Sequence, residues 1–301
     1  MPLADAISPP VSLHTLLTGF QTDWLSLLTL AIEVALAAWY VLSARRLTAR
    51  GRDWSRRRTV CFVAGTVLLI IAVQSGLAAY DDQVFWVHVI QHLLLMNFAP
   101  ILFALSAPMT LALQASSRRT QGILLSILHH PMVEFLTNPF VVVIGAYGTM
   151  VVYFLTPFYN FSLKHPLVHD LTHLHFLVSG CLFWWIVVGR DPSRWRPSYP
   201  AKLGFLATGI PVNAILGVSL TGATVSIAPH FHTLADTHVG GSVLWVVGEL
   251  TSLIAMGIVL YQWMQFEERV AVRADRRGDA DAARAAVSPS ANGTAAGPSG
   301  P

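Results

Sequence analysis

Charge is the scarcest thing in this chain. Only 12% of its 301 residues are Asp, Glu, Lys or Arg. Soluble domains carry about 25%, so a water-exposed surface over most of the chain is excluded. Cysteine is nearly absent. Cys61 and Cys181 lie far apart in apolar runs, with no CxxC. That pattern gives neither a thiolate metal site nor a dithiol redox pair, and both are expected to pack as small buried hydrophobes. The stretch before Trp24 has no Lys or Arg. It lacks the basic start of a secretory signal peptide and is expected to be mature sequence.

Long apolar runs are what is present. A membrane-spanning helix needs about 20 mostly apolar residues. Seven segments qualify, at about 24–43, 59–79, 84–111, 138–157, 168–189, 202–227 and 240–264. The third carries Pro100 and Pro108 and is expected to kink or break near its inner end, because proline removes a backbone donor. The expected fold is therefore all-α: a polytopic membrane protein built as a bundle of seven transmembrane helices.

Orientation follows from the basic residues. Every Lys and Arg except Lys164 falls on alternate connections: the loops after helices 1, 3 and 5, and the tail. This predicts an N-terminus outside and a C-terminus in the cytoplasm. Three regions result: an extracytoplasmic segment 1–23, a transmembrane domain 24–265 and a cytoplasmic tail 266–301. The tail is mainly Ala, Asp, Arg, Gly, Ser and Pro from about Arg273 and is expected to be disordered.

The twelve histidines then sort by side. His129 and His130 fall on the cytoplasmic loop. The others fall outside or at outer helix ends. His88 and His92 open helix 3, and Met96 follows four residues later. His169, His173 and His175 open helix 5. His230, His232 and His238 lie between helices 6 and 7. Residues four apart share a helix face, and imidazole is the commonest protein metal ligand. One HxxxH is weak evidence, and a lone helix-end histidine is most often a cap. Two such pairs and an HxH at one membrane depth argue for a metal site.

Imidazole suits zinc, copper, iron and nickel, and a thioether favours Cu(I). Met96 lies about 12 Å below His88 at 1.5 Å per residue, which suits a path into the membrane better than one compact site. Asp170 and Asp236 are candidates for holding the imidazole N–H groups. Asp81 and Asp82 lie on the same side and could be ligands or such acceptors too, but are expected to be solvated loop acids. Glu33 in helix 1 and Glu249 in helix 7 are costly in hydrocarbon. They form either a structural network with Gln74 and Asn213 or a proton or ion relay.

The string HVIQHLLLMNFAPILFALSAP (88–108) resembles the helix-3 signature of the CtaG-like cytochrome c oxidase assembly factor family of bacteria. HDLTHLHFLVSGCLFWWIVVGRDP resembles its helix-5 motif, and PHFHTLADTHVGG its last outer loop. The resemblance covers helices 3 to 7. It implies a multi-pass protein of the bacterial plasma membrane that helps mature a haem-copper oxidase by handling copper. It points to His88, Gln91, His92, Met96, His173, Asp236 and Gly240–Gly241. His238 departs from the pattern, where glutamine is the more usual residue.

Three functions compete. The first is an assembly factor that binds or delivers copper, with oxidase subunits and the lipid bilayer as partners and no nucleic acid. The second is a seven-helix zinc hydrolase, with Glu249 or Asp170 as general base. The third is a membrane haem protein with axial histidines from facing helices, such as His92 and His173.

Overall fold

The computed structural model describes residues 12–287. Among them the chain is helical throughout, with one isolated antiparallel bridge between Phe20 and Ser75. The helices are α1 (Leu13–Thr18), α2 (Trp24–Ala49), α3 (Arg56–Gln74), α4 (Gly76–Tyr80) and α5 (Phe85–Leu93), then α6 (Ala99–Ser106), α7 (Pro108–Ala115), α8 (Arg118–Leu128), α9 (Pro131–Leu136) and α10 (Pro139–Val143). The remainder are α11 (Thr149–Leu155), α12 (Phe158–Leu163), α13 (Pro166–Val188), α14 (Tyr199–Thr221) and α15 (Leu234–Val287).

Six helical stretches are long and apolar enough to cross a membrane: α2, α3, Phe85–Ala115, α13, α14 and α15. The seventh expected span, Pro139–Leu155, is apolar but shorter. Of the seven expected spans, six are long helices and the seventh is this short apolar stretch. α15 also runs through residue 287, well into the segment expected to be without structure. The Ala- and Arg-rich sequence beyond Met264 favours helix by intrinsic propensity. Residues 288–301 lie outside the described range. Contacts divide the chain into two units, residues 1–256 and 257–301. Within the described residues the second unit is the continuation of α15 alone, and the first holds the start of α15 and every other helix.

The third span shows the effect of its two prolines. Pro108 starts α7 after Ala107, which sits in the left-handed region (φ 55°). There the helix breaks, towards the C-terminal end of the third span, where proline was expected to break it. The freed amides of Met109 and Thr110 donate to the Asp191 carboxylate at 3.2 and 2.7 Å. Pro100 acts differently. Its missing N–H leaves the Met96 carbonyl without its i→i−4 partner, inside a π-helical turn, Leu94–Phe98. The indole Nε1 of Trp184 on α13 donates to that carbonyl at 3.2 Å. Gly180 makes the approach possible, since a Cβ there would meet the Met96 carbonyl oxygen at 2.5 Å.

A second π turn, Ile144–Gly148, joins α10 to α11. Its Gly145 carbonyl accepts from Thr149 and lies 3.2 Å from His175 Nε2 on α13. Both irregular turns thus rest on α13. The largest buried cluster lies beside them, around Phe85, Met96, Tyr153, Tyr159 and Phe176.

Candidate metal centre

Three elements build the site. α5 brings His88 and His92, one turn apart on its buried face. α13 brings His169 and His173 with the same spacing. The tight connection from α4 to α5 brings Asp81. The start of α5 is fixed from α15. Asp236, in the first turn of α15, accepts from the Phe85 and Trp86 amides at 2.5 and 3.2 Å. These are donors that a helix start leaves unpaired. Gly240, one turn further on, lets α15 close onto the Phe85 ring.

The two histidine pairs face each other. Ring centroids lie 4.1 Å apart for His88–His92 and 4.3 Å for His169–His173. Across the helices they lie 5.3 Å apart for His88–His169 and 5.1 Å for His92–His173. Asp81 Oδ2 is 3.9 Å from the Nε2 atoms of both His169 and His173. One ligand atom from each of Asp81, His88, His169 and His173 falls within 4.8 Å of all the others. Two atoms bound to one ion at about 2.1 Å are at most about 4.2 Å apart, so small rotamer changes would close the set.

The cluster is buried. His88 is 0% exposed and His92 3%. Neither ring nitrogen of His88 or His92 has a hydrogen-bond partner, and neither has Nε2 of His169 or His173. Aromatic rings close the walls: Tyr153 and Phe176 lie 5.5 and 4.6 Å from His92, and Tyr159 lies 5.0 Å from His88. The tyrosine hydroxyls are already engaged. Tyr153 pairs with Ser162 at 3.0 Å, and Tyr159 with His232 Nε2 at 2.7 Å. An unpartnered buried polar group costs about 1–3 kcal/mol. Several within one cage fit a site shaped for a cation, and the imidazole and carboxylate donors fit zinc or copper. Burial, reinforced by neighbouring Asp82, pushes the Asp81 carboxyl well above the usual carboxylate range.

The structure thus brings together His88, His92, His169 and His173 from the expected set. It places the other candidates elsewhere. Met96 lines a separate cavity of 20 Å³ with Tyr147 and Asn213. His175 Nε2 lies 3.1–3.2 Å from Gly145 O, Thr149 Oγ1 and Ser179 Oγ. His238 bonds the Ala223 carbonyl at 2.9 Å. His230 and Asp170 are exposed. His232 is buried, with Nδ1 3.8 Å from Asp236, and burial pushes its pKa down. Asp236 holds backbone amides rather than imidazole N–H groups.

Gln91 turns towards α3, donating to the Ala72 carbonyl at 3.0 Å. Glu33 is buried on α2, with Oε2 unpartnered. One turn before it on the same face, Thr29 accepts from Gln74 at 2.6 Å. Glu249 is half-buried on α15.

Sequence reasoning favoured a solvated Asp81 over a ligand, but it is 6% exposed. The available signal was the brevity of the 81–84 connection between two apolar helices, too short to carry both acids clear of the bundle.

Fold and site together define a class: a helical bundle with membrane-length spans and a buried His/Asp cluster that could hold a metal ion. The chain belongs to the cytochrome c oxidase caa3 assembly factor family (Caa3_CtaG), whose family model matches residues 38–265. It is 31% identical over 266 residues to an uncharacterized protein of Mycobacterium leprae (strain TN), covering 83% of this chain and 40% of that protein. Uncharacterized proteins of Mycobacterium bovis and Mycobacterium tuberculosis are 30% identical over 268 residues, with the same coverage. The chain therefore spans about two-fifths of the length of the curated relatives it matches. No solved structure matches it.

Proposed function

We propose that this protein binds copper at the buried histidine centre and hands it to a haem-copper oxidase during that enzyme's assembly. The observation that carries the reading is the cage of four inward-facing imidazoles, with ring nitrogens that have no hydrogen-bond partner, closed by the Asp81 carboxylate. Family membership supplies the client, and the client's need for copper selects that ion over zinc. The ion is cargo. His88, His92, His169 and His173 are its nitrogen ligands, and Asp81 supplies the negative charge that offsets the ion's own. The His169 and His173 side chains are 12% and 11% exposed, against full burial of His88. Loading and release therefore pass through the His169–His173–Asp81 side.

The proposal places the protein in the plasma membrane with seven crossings, the short Pro139–Leu155 stretch included. The histidine centre faces outward and the arginine-bearing loops face the cytoplasm. The alternation of Lys and Arg supports this orientation.

The test is the metal content of the detergent-purified protein by mass spectrometry, with wild type beside His88→Ala/His92→Ala. About one copper per chain, lost in the variant, is the expected result. Zinc in its place would overturn copper delivery and favour metal-dependent hydrolysis. No metal after loading would leave the family role resting on protein contacts alone.

A further inference from the structure

A second site lies at the arginine-bearing end of the bundle. Loop 190–198 folds back over α9 there. Arg194 pairs with Glu134 at 2.8 Å, and the Trp195 indole donates to the Glu134 carbonyl at 3.3 Å. Between this loop, α8 and α13 is a cavity of 150 Å³. One water needs about 10–15 Å³ by that measure, so the cavity admits a group much larger than water.

Its walls divide by chemistry. Leu125, Leu128 and Val133 are apolar, while Arg194, Arg196 and His129 supply the polar side. His129 is exposed, and its Nδ1 bonds the Leu125 carbonyl at 2.7 Å. Trp185 also lines the cavity, and its buried indole N–H has no acceptor. Glu134 offsets one of the two arginines, so the site carries one net positive charge and matches a singly charged anion.

The surroundings say what brings that anion. α8 is amphipathic: Arg118, Gly122 and Ser126 follow one another at four-residue steps on the polar side, while Ile123 and Ile127 continue the next row from Arg119 and open the apolar side. That apolar face is not packed on the bundle, Ile123 and Ile127 being more than half exposed. On α9, Met132 and Phe135 are exposed to a similar degree. A helix with an unpacked apolar face and a basic polar face lies in the interface plane of a bilayer, at phosphate depth. Basic pockets between helices at that depth take lipid headgroups.

We infer that the Arg194–Arg196–His129 cavity binds the phosphodiester of an anionic glycerophospholipid, whose acyl chains lie along the exposed faces of α8 and α9. The bound lipid anchors the α8–α9 segment to the bundle. This does not depend on the metal centre.

The test is native mass spectrometry of the full chain in detergent, titrated with phosphatidylglycerol, phosphatidylcholine or inorganic phosphate. Arg196→Gln is compared with Arg196→Lys and with Arg50→Gln, a control in the loop after α2. Phosphatidylglycerol is expected to be retained in preference to phosphatidylcholine. A basic residue at an anionic membrane surface is worth about 1 kcal/mol, so Arg196→Gln should weaken phosphatidylglycerol about fivefold, with Arg196→Lys and Arg50→Gln near wild type. Equal retention of the two lipids would overturn the inference, as would equal losses in Arg196→Gln and Arg50→Gln. Displacement of the lipid by millimolar phosphate would identify a small-anion site instead.

Discussion

Asp81 is the residue whose chemistry decides how the centre works. If it is a ligand, Asp81→Asn should lower metal affinity at least tenfold, since even groups behind the ligands are worth 10–100-fold. Competition with a chelator of known affinity measures this. The metal-free protein gives an independent check. Burial raises the Asp81 pKa, so the folded chain holds that proton more tightly than the unfolded chain, whose value is about 3.9. Its contribution is then fully favourable at acid pH and is lost as pH rises through the folded value. The difference in apo melting temperature between Asp81→Asn and wild type should grow from pH 4 to pH 8, in the variant's favour. The loaded protein should do the reverse and release its ion on acidification, because the ligands must be deprotonated. A difference independent of pH would show that Asp81 is not the buried acid described. The histidine pairs were legible in the sequence because i,i+4 spacing fixes a shared face. Which pairs meet was not, since spacing carries no information about the rotation of one helix against another. That is why His175, two residues from His173, reads as a ligand and turns out to serve a π turn.

Elements position those residues, and the start of α5 is where they converge. Asp236→Ala removes the acceptor for two amides and should cost about 0.5–2 kcal/mol, read as a lower melting temperature together with weaker metal binding. Asp236→Asn keeps an acceptor oxygen and should restore most of both. Gly240→Ala drives a methyl into the Phe85 ring, and overpacking of this kind costs about 1–3 kcal/mol. Gly122→Ala on α8 meets nothing within 4 Å and should stabilise by about 0.5–1 kcal/mol through helix propensity. Opposite signs from one substitution type would separate a packing glycine from a merely tolerated one. Equal effects would contradict the close approach of α15 to α5. The break at Pro108 was legible because proline's geometry is local. The π turns were not, because they depend on Trp184 and His175 arriving from α13, and no local pattern records that.

At the scale of the whole molecule, the alternation of arginines predicts the topology, and the short stretch Pro139–Leu155 is the step on which it turns. Seventeen residues rise about 26 Å as an α-helix, against a hydrocarbon core of about 30 Å. A crossing therefore requires local thinning of the bilayer or help from flanking residues. Six crossings and seven differ in one observable: whether Ser117 and Lys164, which flank this stretch, lie on opposite sides of the membrane. Single cysteines at these positions, with Cys61 and Cys181 replaced by serine, would be exposed on intact cells to an impermeant maleimide. Seven crossings predict labelling of Lys164→Cys at once and of Ser117→Cys only after permeabilisation. Gly51→Cys and Gln83→Cys, both before this stretch, calibrate the inner and outer sides. Labelling of Ser117→Cys and Lys164→Cys together, under the same condition, would mean that Pro139–Leu155 does not cross. The arginines beyond it would then lie opposite those before it. The His88–His92 and His169–His173 pairs would then start from opposite faces of the membrane and could not meet with their rings 5.1–5.3 Å apart.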